Sequence, residues 1–303
     1  MIATTLIRDF ETKTYRYFAN VKWKNEFNRK IKHINHDEPW LTLVACYSIF
    51  GDQQNITSDR LAAINELLNS GFQRKQFNFT EVHKVVLETK LPEIKKYRDF
   101  LIKEMLNNQL HFYPDRLKKM KEKADKGTAS FEGNTNLDLM IEGISNGKKT
   151  SIFIEAKFLS DISYHTLYNP VRDQIARNID CGIDYVNLSH GYVDSLQDFY
   201  FLLLTPKVFR TKIFGSSNTS LNRMGSDRSR LYCYKMNDYK NSSMLKAALP
   251  HRNLQDDEWD LISKHLGWIT FEDVYAMSKT YGTIDDPDEA NEIKDFFEER
   301  NLI

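Results

Sequence analysis

Several things are scarce in this sequence, and each scarcity narrows what the chain can be. Cysteine occurs three times in 303 residues, at Cys46, Cys181 and Cys233. An odd number of widely separated thiols makes no disulfide framework and fits a reducing, cytoplasmic setting. A charge excess of one sign is missing too, since 42 Lys and Arg face 42 Asp and Glu. The chain is therefore no polycation, and any nucleic-acid surface must be a local basic patch balanced by acid elsewhere. No apolar run reaches the ~18 residues that a membrane-spanning helix needs. The first residues, Met-Ile-Ala-Thr-Thr-Leu-Ile-Arg-Asp-Phe-Glu, acquire acid too early for a signal peptide. There is no glycine-rich nucleotide loop, no Gly-x-Ser-x-Gly and no internal repeat.

What is present describes a globular chain. Hydrophobic residues make up 41% and charged residues 28%, and 19 Phe with 15 Tyr are enough aromatic surface for a large core. Periodicity predicts helices over most of residues 1 to 125. Thr57-Ser58-Asp59 precedes Leu61, Ile64, Leu67 and Leu68, as a capping residue precedes an amphipathic helix. Phe79-Thr80 opens an expected second helix through Val82, Val85, Val86 and Leu87. Pro92 stands near the start of a third, with Phe100, Leu101, Met105 and Leu106 on its apolar side. A basic run from Arg116 to Lys126 ends at Gly127, a suitable helix stop.

The texture then changes. Ala129, Phe131, Leu137, Leu139 and Ile141 alternate, β-branched residues rise from Thr150 to Ile154, and Asn146-Gly147 is a hairpin signal between the runs. Asn169-Pro170 opens a helix with Val171, Ile175 and Ile179 as its stripe and Gly182 beyond its expected end. Asp198 to Thr205 is an apolar run closed by Pro206, the pattern of a buried strand. Residues 215 to 230 form a Ser-, Asn- and Arg-rich loop. Residues 251 to 303 are expected to be helical, including Asp260 to Trp268 and Thr270 to Met277. The fold class is α/β with a small mixed sheet and helical N- and C-terminal regions. Three segments result: 1–94 helical, 95–214 the core, 215–303 the basic loop and helical end.

The hairpin carries the chemistry. Its strands hold Asp138 and the run Ile152-Phe-Ile-Glu155-Ala156-Lys157. Phosphodiester hydrolysis needs an activated water and a seat for developing negative charge, and a divalent cation supplies both. Mg²⁺ prefers carboxylate, carbonyl and water oxygens. Alternation puts Glu155 and Lys157 on one face, and the Ala156 carbonyl can still reach a metal at the strand end. A solvated hairpin with a cross-strand ion pair has the same residues. The apolar residues directly before Glu155 argue instead for charges at the end of a buried strand.

Asp138, a short hairpin and Ile-Phe-Ile-Glu-Ala-Lys resemble the PD-(D/E)xK nuclease superfamily, with its restriction-endonuclease-like core in the order α-β-β-β-α-β. Leu137 stands where many members have proline. The resemblance spans residues 95 to 206. It implies a Mg²⁺-dependent endonuclease acting on DNA, with Mn²⁺ able to substitute, a role in bacterial or phage restriction or defence, and a homodimer. It assigns metal binding to Asp138, Glu155 and Ala156, and catalysis to Asp138, Glu155, Lys157 and Gln174, the last on the following helix. Helical geometry places Arg177 and Asn178 on the flank of Gln174 as nucleic-acid contacts. Lys207, Arg210, Lys212, Arg223 and Arg228 after the apolar strand are expected to track phosphates. Glu104 is an additional acid on the helix before the sheet. His33 and His36 are three apart but lack further ligands for zinc. Two other functions stay open: a non-catalytic binding subunit on the same fold, and a nuclease of the same chemistry acting on RNA.

Overall fold

Five strands lie side by side in the order in which the chain makes them. The computed structural model describes residues 38–51, 56–72, 76–91, 93–106, 114–126, 135–163, 172–190, 195–210 and 230–303. Helices α1 (Glu38–Phe50) and α2 (Ser58–Gly71) come first, then strand β1 (Phe79–Leu91). Helices α3 (Lys95–Leu106) and α4 (Pro114–Asp125) separate it from the hairpin β2 (Thr135–Ser145) and β3 (Lys148–Ala156). Then come α5 (Gln174–His190), a 3₁₀ turn (Ser195–Asp198), β4 (Phe199–Thr205) and the short α6 (Lys207–Arg210). The last part holds α7 (Leu231–Asp238), α8 (Ser242–Ala248), α9 (Asp256–Lys264), β5 (Leu266–Thr270), α10 (Phe271–Tyr281) and α11 (Pro287–Glu298). β1, β2 and β3 pair antiparallel, whereas β3, β4 and β5 pair parallel, so the sheet is mixed as expected.

Both faces of this sheet are covered, which explains the unbroken apolar runs in its centre. Ile152 and Ile154 of β3 pack with buried residues of α1, α2, α10 and α11. Phe153 points the other way, into a core shared with α3, α5, α7, α8 and α9. Burying each such side chain contributes about 1.5–3 kcal/mol. Helix α1 is buried from Trp40 to Phe50, so it is held by packing on all sides rather than by an amphipathic stripe. The Asn146-Gly147 turn forms as its sequence predicts, with φ of 53° and 74°, the left-handed values of a tight hairpin turn.

Three expectations are corrected. Phe79–Leu91 is strand β1 and not a helix. Thr80, Val82, Val85, Val86 and Thr89 are β-branched and stiff at χ1, and Val85 and Leu87 bury one face at a spacing of two. Pairing with β2 from Phe79↔Ser145 to Leu91↔Thr135 overrides the helical spacing of its apolar residues.

Gly182 does not end its helix, because α5 runs on to His190. A Cβ at Gly182 would lie 2.7 Å from the Phe199 ring, so glycine here allows close packing of helix on sheet. The helix expected through Trp268 stops at Lys264, and Leu266–Thr270 becomes strand β5 beside β4. Gly267 makes room there, since a Cβ would lie 2.7 Å from Leu202 and 2.8 Å from Phe72. β1 and β5, from outside residues 95–214, thus belong to the same sheet as the hairpin. Gly127, Ala129, Phe131, Asn169, Pro170, Val171 and the loop 215–229 lie outside the described residues. Among the described residues no helix is long and apolar enough to cross a membrane.

Candidate active site

The β2–β3 register pairs Leu139 with Ile154. One step further along the hairpin sets Asp138 opposite Glu155. Asp138 Oδ2 accepts a 2.8 Å hydrogen bond from the Ala156 backbone N–H, which fixes its carboxylate at the end of β3. The parallel ladder continues one residue past β3, with Lys157 N–H donating to the Leu204 carbonyl at 2.9 Å. The Lys157 side chain therefore leaves from an anchored backbone and returns over the strand end.

Its ammonium gathers the site. Lys157 Nζ lies 2.6 Å from Glu155 Oε1 and 3.9 Å from Asp138 Oδ2. It donates to the Ala156 carbonyl at 3.0 Å and to Glu38 Oε1 at 3.1 Å. Glu155 is fully buried and Lys157 is 5% exposed, so these are charges largely withdrawn from water.

Helix α5 supplies two amides to the same carboxylate. Gln174 Nε2 donates to Glu155 Oε1 at 2.6 Å, and Asn178 Nδ2 donates to Glu155 Oε2 at 2.5 Å. Their spacing of four residues puts both on one helix face. The buried Asp173 sets the start of α5, its Oδ1 accepting from Ala176 N–H at 2.9 Å and its Oδ2 from the Tyr239 hydroxyl at 2.5 Å.

The electrostatics follow from burial. Burial raises the Asp138 pKa well above the ordinary carboxylate range, and Glu155, Glu38 and Glu88 push it further while Lys157 opposes them. Burial also raises Glu155, against Lys157 and the Asn178 amide, which favour its charged form. For Lys157 burial acts downward, but Glu155, Asp138 and Glu38 outweigh it, and the ammonium stays protonated.

Glu38 escaped sequence reading. It starts α1, and its Oε2 accepts from the Phe158 N–H at 2.8 Å and the Ser160 hydroxyl at 2.6 Å. Glu38-Pro39 followed by an apolar run is a legible helix start. Nothing in the spacing says that this start meets the end of β3. Glu104, the helical acid expected near the sheet, is half-buried on α3, and the helical carboxylate that contacts Lys157 is Glu38. Glu88 was also unmarked: it is buried, holds φ at 52° and stands on β1 in the row of Asp138 and Glu155.

The expected nucleic-acid residues are placed less uniformly. Asn178 is fully buried against Glu155, so it is not a surface phosphate contact. Arg177 is half-buried on the same helix. Lys207 is exposed on α6, where its backbone N–H donates to Glu272 Oε2 at 2.8 Å. Arg210 pairs with Asp273 at 3.0 Å, which already balances its charge. Lys212, Arg223 and Arg228, and also His33 and His36, lie outside the described residues.

Among the described residues, no three His, Cys, Asp or Glu side chains stand spaced around a ready ion position. The expected metal ligands converge instead on the Lys157 ammonium, with Glu155 Oε1, the Ala156 carbonyl and Asp138 Oδ2 at 2.6, 3.0 and 3.9 Å. All are hard oxygens, and two belong to acidic groups, so the donor chemistry suits Mg²⁺ or Mn²⁺. The Lys157 ammonium stands where these oxygens converge and is also held there by Glu38 Oε1 at 3.1 Å. Comparison with known proteins finds no matching family model, no similar curated protein and no similar solved structure.

Proposed function

We propose that this protein is a metal-dependent endonuclease that hydrolyses DNA phosphodiesters on a restriction-endonuclease-like core. One observation carries the proposal: Asp138, Glu155, the Ala156 carbonyl and Lys157 meet at one buried strand end, as the nuclease motif requires. Bound Mg²⁺ or Mn²⁺ would acidify a water and draw charge from the phosphate oxygens. Asp138, Glu155 and the Ala156 carbonyl would hold the ion. Lys157 brings a positive charge to the scissile phosphate, where negative charge develops. Gln174 orients the Glu155 carboxylate, and Glu38 steers the Lys157 ammonium. Action within restriction or phage defence and a homodimer belong to the same proposal through the family resemblance alone, and a cytoplasmic setting through the odd number of widely separated cysteines.

The test is a cleavage screen on supercoiled DNA, linear DNA and RNA, with and without Mg²⁺ or Mn²⁺. DNA should be cut only with metal, and Asp138→Asn and Glu155→Gln should stop it. Cutting by both variants at the wild-type rate would refute the assignment. RNA cleavage with the same metal and variant dependence would keep the chemistry and change the substrate.

A second reading has its own observation. The lysine ammonium occupies the point where the ligands converge, and a non-catalytic binding subunit could keep it there permanently. That reading expects nucleic-acid or protein binding, no cleavage, and no heat of Mn²⁺ binding in calorimetry.

A further inference from the structure

Asn178 is fully buried on α5. Its Nδ2 donates to Glu155 Oε2 at 2.5 Å, whereas its Oδ1 is a buried acceptor without a hydrogen-bond partner among the described residues. Reversing the amide would not help, because it would set an oxygen against the carboxylate and leave the NH₂ unpaired. A buried acceptor left unpaired costs free energy, and native proteins pair such groups with protein or with ordered water. The other Glu155 oxygen is already engaged, by Lys157 at 2.6 Å and Gln174 at 2.6 Å. Oε2 therefore takes its orientation from Asn178.

We propose that Asn178 is a positioning residue for the metal site: its Nδ2 aims Glu155, and its Oδ1 seats an ordered water beside that carboxylate. The proposal rests on the nuclease reading and deepens it. It also replaces the expectation that Asn178 contacts nucleic acid. Its signature is weaker metal binding and a lower kcat with KM nearly unchanged. Asn178→Leu removes the amide oxygen and the amide donor together, whereas Asn178→Ser keeps a shorter hydroxyl.

The experiment measures Mn²⁺ affinity by calorimetry, melting temperature by scanning calorimetry, and kcat and KM on DNA for wild type, Asn178→Leu and Asn178→Ser. Both variants should bind Mn²⁺ about tenfold more weakly or worse, as loss of a group orienting a metal ligand commonly does. Asn178→Leu should melt below the wild type, because the buried Glu155 Oε2 loses its donor. kcat should fall with KM nearly unchanged, whereas a nucleic-acid contact would show in KM. A crystal structure of the wild type should show a water in hydrogen-bonding range of Asn178 Oδ1. Wild-type binding with unweakened variants, or an effect confined to KM, overturns the assignment of Asn178 alone. Failure of the wild type itself to bind Mn²⁺ overturns this assignment together with the nuclease reading.

Discussion

Glu38 and Lys157 are 119 residues apart in sequence, yet the lysine ammonium donates to the Glu38 carboxylate at 3.1 Å. The contact joins the start of the first described helix to the end of a central strand. It makes the N-terminal helix part of the candidate site and not merely an addition to the core. Lys157 in turn is the positive charge among Glu38, Asp138 and Glu155.

Removing that charge should be expensive. Lys157→Met leaves three neighbouring carboxylates uncompensated in a buried setting, with an expected cost of about 3–5 kcal/mol. Adding Glu38→Gln to Lys157→Met should recover on the order of 1 kcal/mol, because residues of one charged network do not behave additively. Urea denaturation of the two single variants and the double variant checks this. Strict additivity would remove Glu38 from the network.

Asp138→Asn should show the opposite sign. An asparagine keeps an oxygen for the Ala156 N–H and removes one charge from the acid cluster. Burial and the neighbouring acids raise the Asp138 pKa in the folded protein. The folded state then holds the proton more tightly than the unfolded chain, so stability declines as pH rises through the interval between the two pKa values. At pH about 8 the variant should be more stable than wild type by on the order of 1 kcal/mol, and the gap should close toward pH about 4. Scanning calorimetry across this range reads the result. A gap independent of pH would contradict the raised pKa.

Asp180 contributes in the reverse direction. It is fully buried between Arg172 Nη1 at 2.5 Å, His251 Nε2 at 2.9 Å and Arg252. Burial alone would raise its pKa, but Arg252, Arg172 and His251 outweigh burial and hold it far below the ordinary carboxylate range. Its stabilisation is therefore complete above the unfolded-state pKa and disappears as acid protonates the folded group. Asp180→Asn should cost about 3–5 kcal/mol at neutral pH, because Arg172 and Arg252 both lose a buried carboxylate, even though Arg252 keeps Asp184 at 2.6 Å. The deficit should shrink on acidification below pH about 4. Guanidinium titrations at several pH values provide the comparison, and a neutral substitution would show the cluster to be dispensable.

Gly182→Ala tests the packing of α5 on the sheet. Alanine in a helix interior is worth about 1 kcal/mol over glycine by propensity alone. The added Cβ would stand 2.7 Å from Phe199 and 3.1 Å from Phe153, two buried rings with little room to move. Overpacking of this kind costs about 1–3 kcal/mol, so the net effect should be a loss. A stabilised variant in thermal melts would mean that the rings yield.

The hairpin was the most legible part of this chain. Asn146-Gly147 determines the turn chemically, Ile152 to Ile154 mark a strand buried on both faces, and Glu155-x-Lys157 places two charges on one side of its end. Gln174 and Asn178 could be put on one helix flank by counting residues. These features depend on neighbours within a few residues, where backbone sterics and periodicity decide. The sequence by itself therefore determined the central strands, the turn and the composition of the acid–lysine group. Only the tertiary structure decided what meets them. Val85 and Leu87 suit a helix or a strand until β2 is beside them, and Leu266–Thr270 becomes a strand because β4 offers a partner. Glu38 and Glu88 enter the site because packing carries α1 and β1 to it, and burial then sets the pKa values. Such contacts are fixed by pairing and burial between segments distant in the chain, and local spacing carries no record of them.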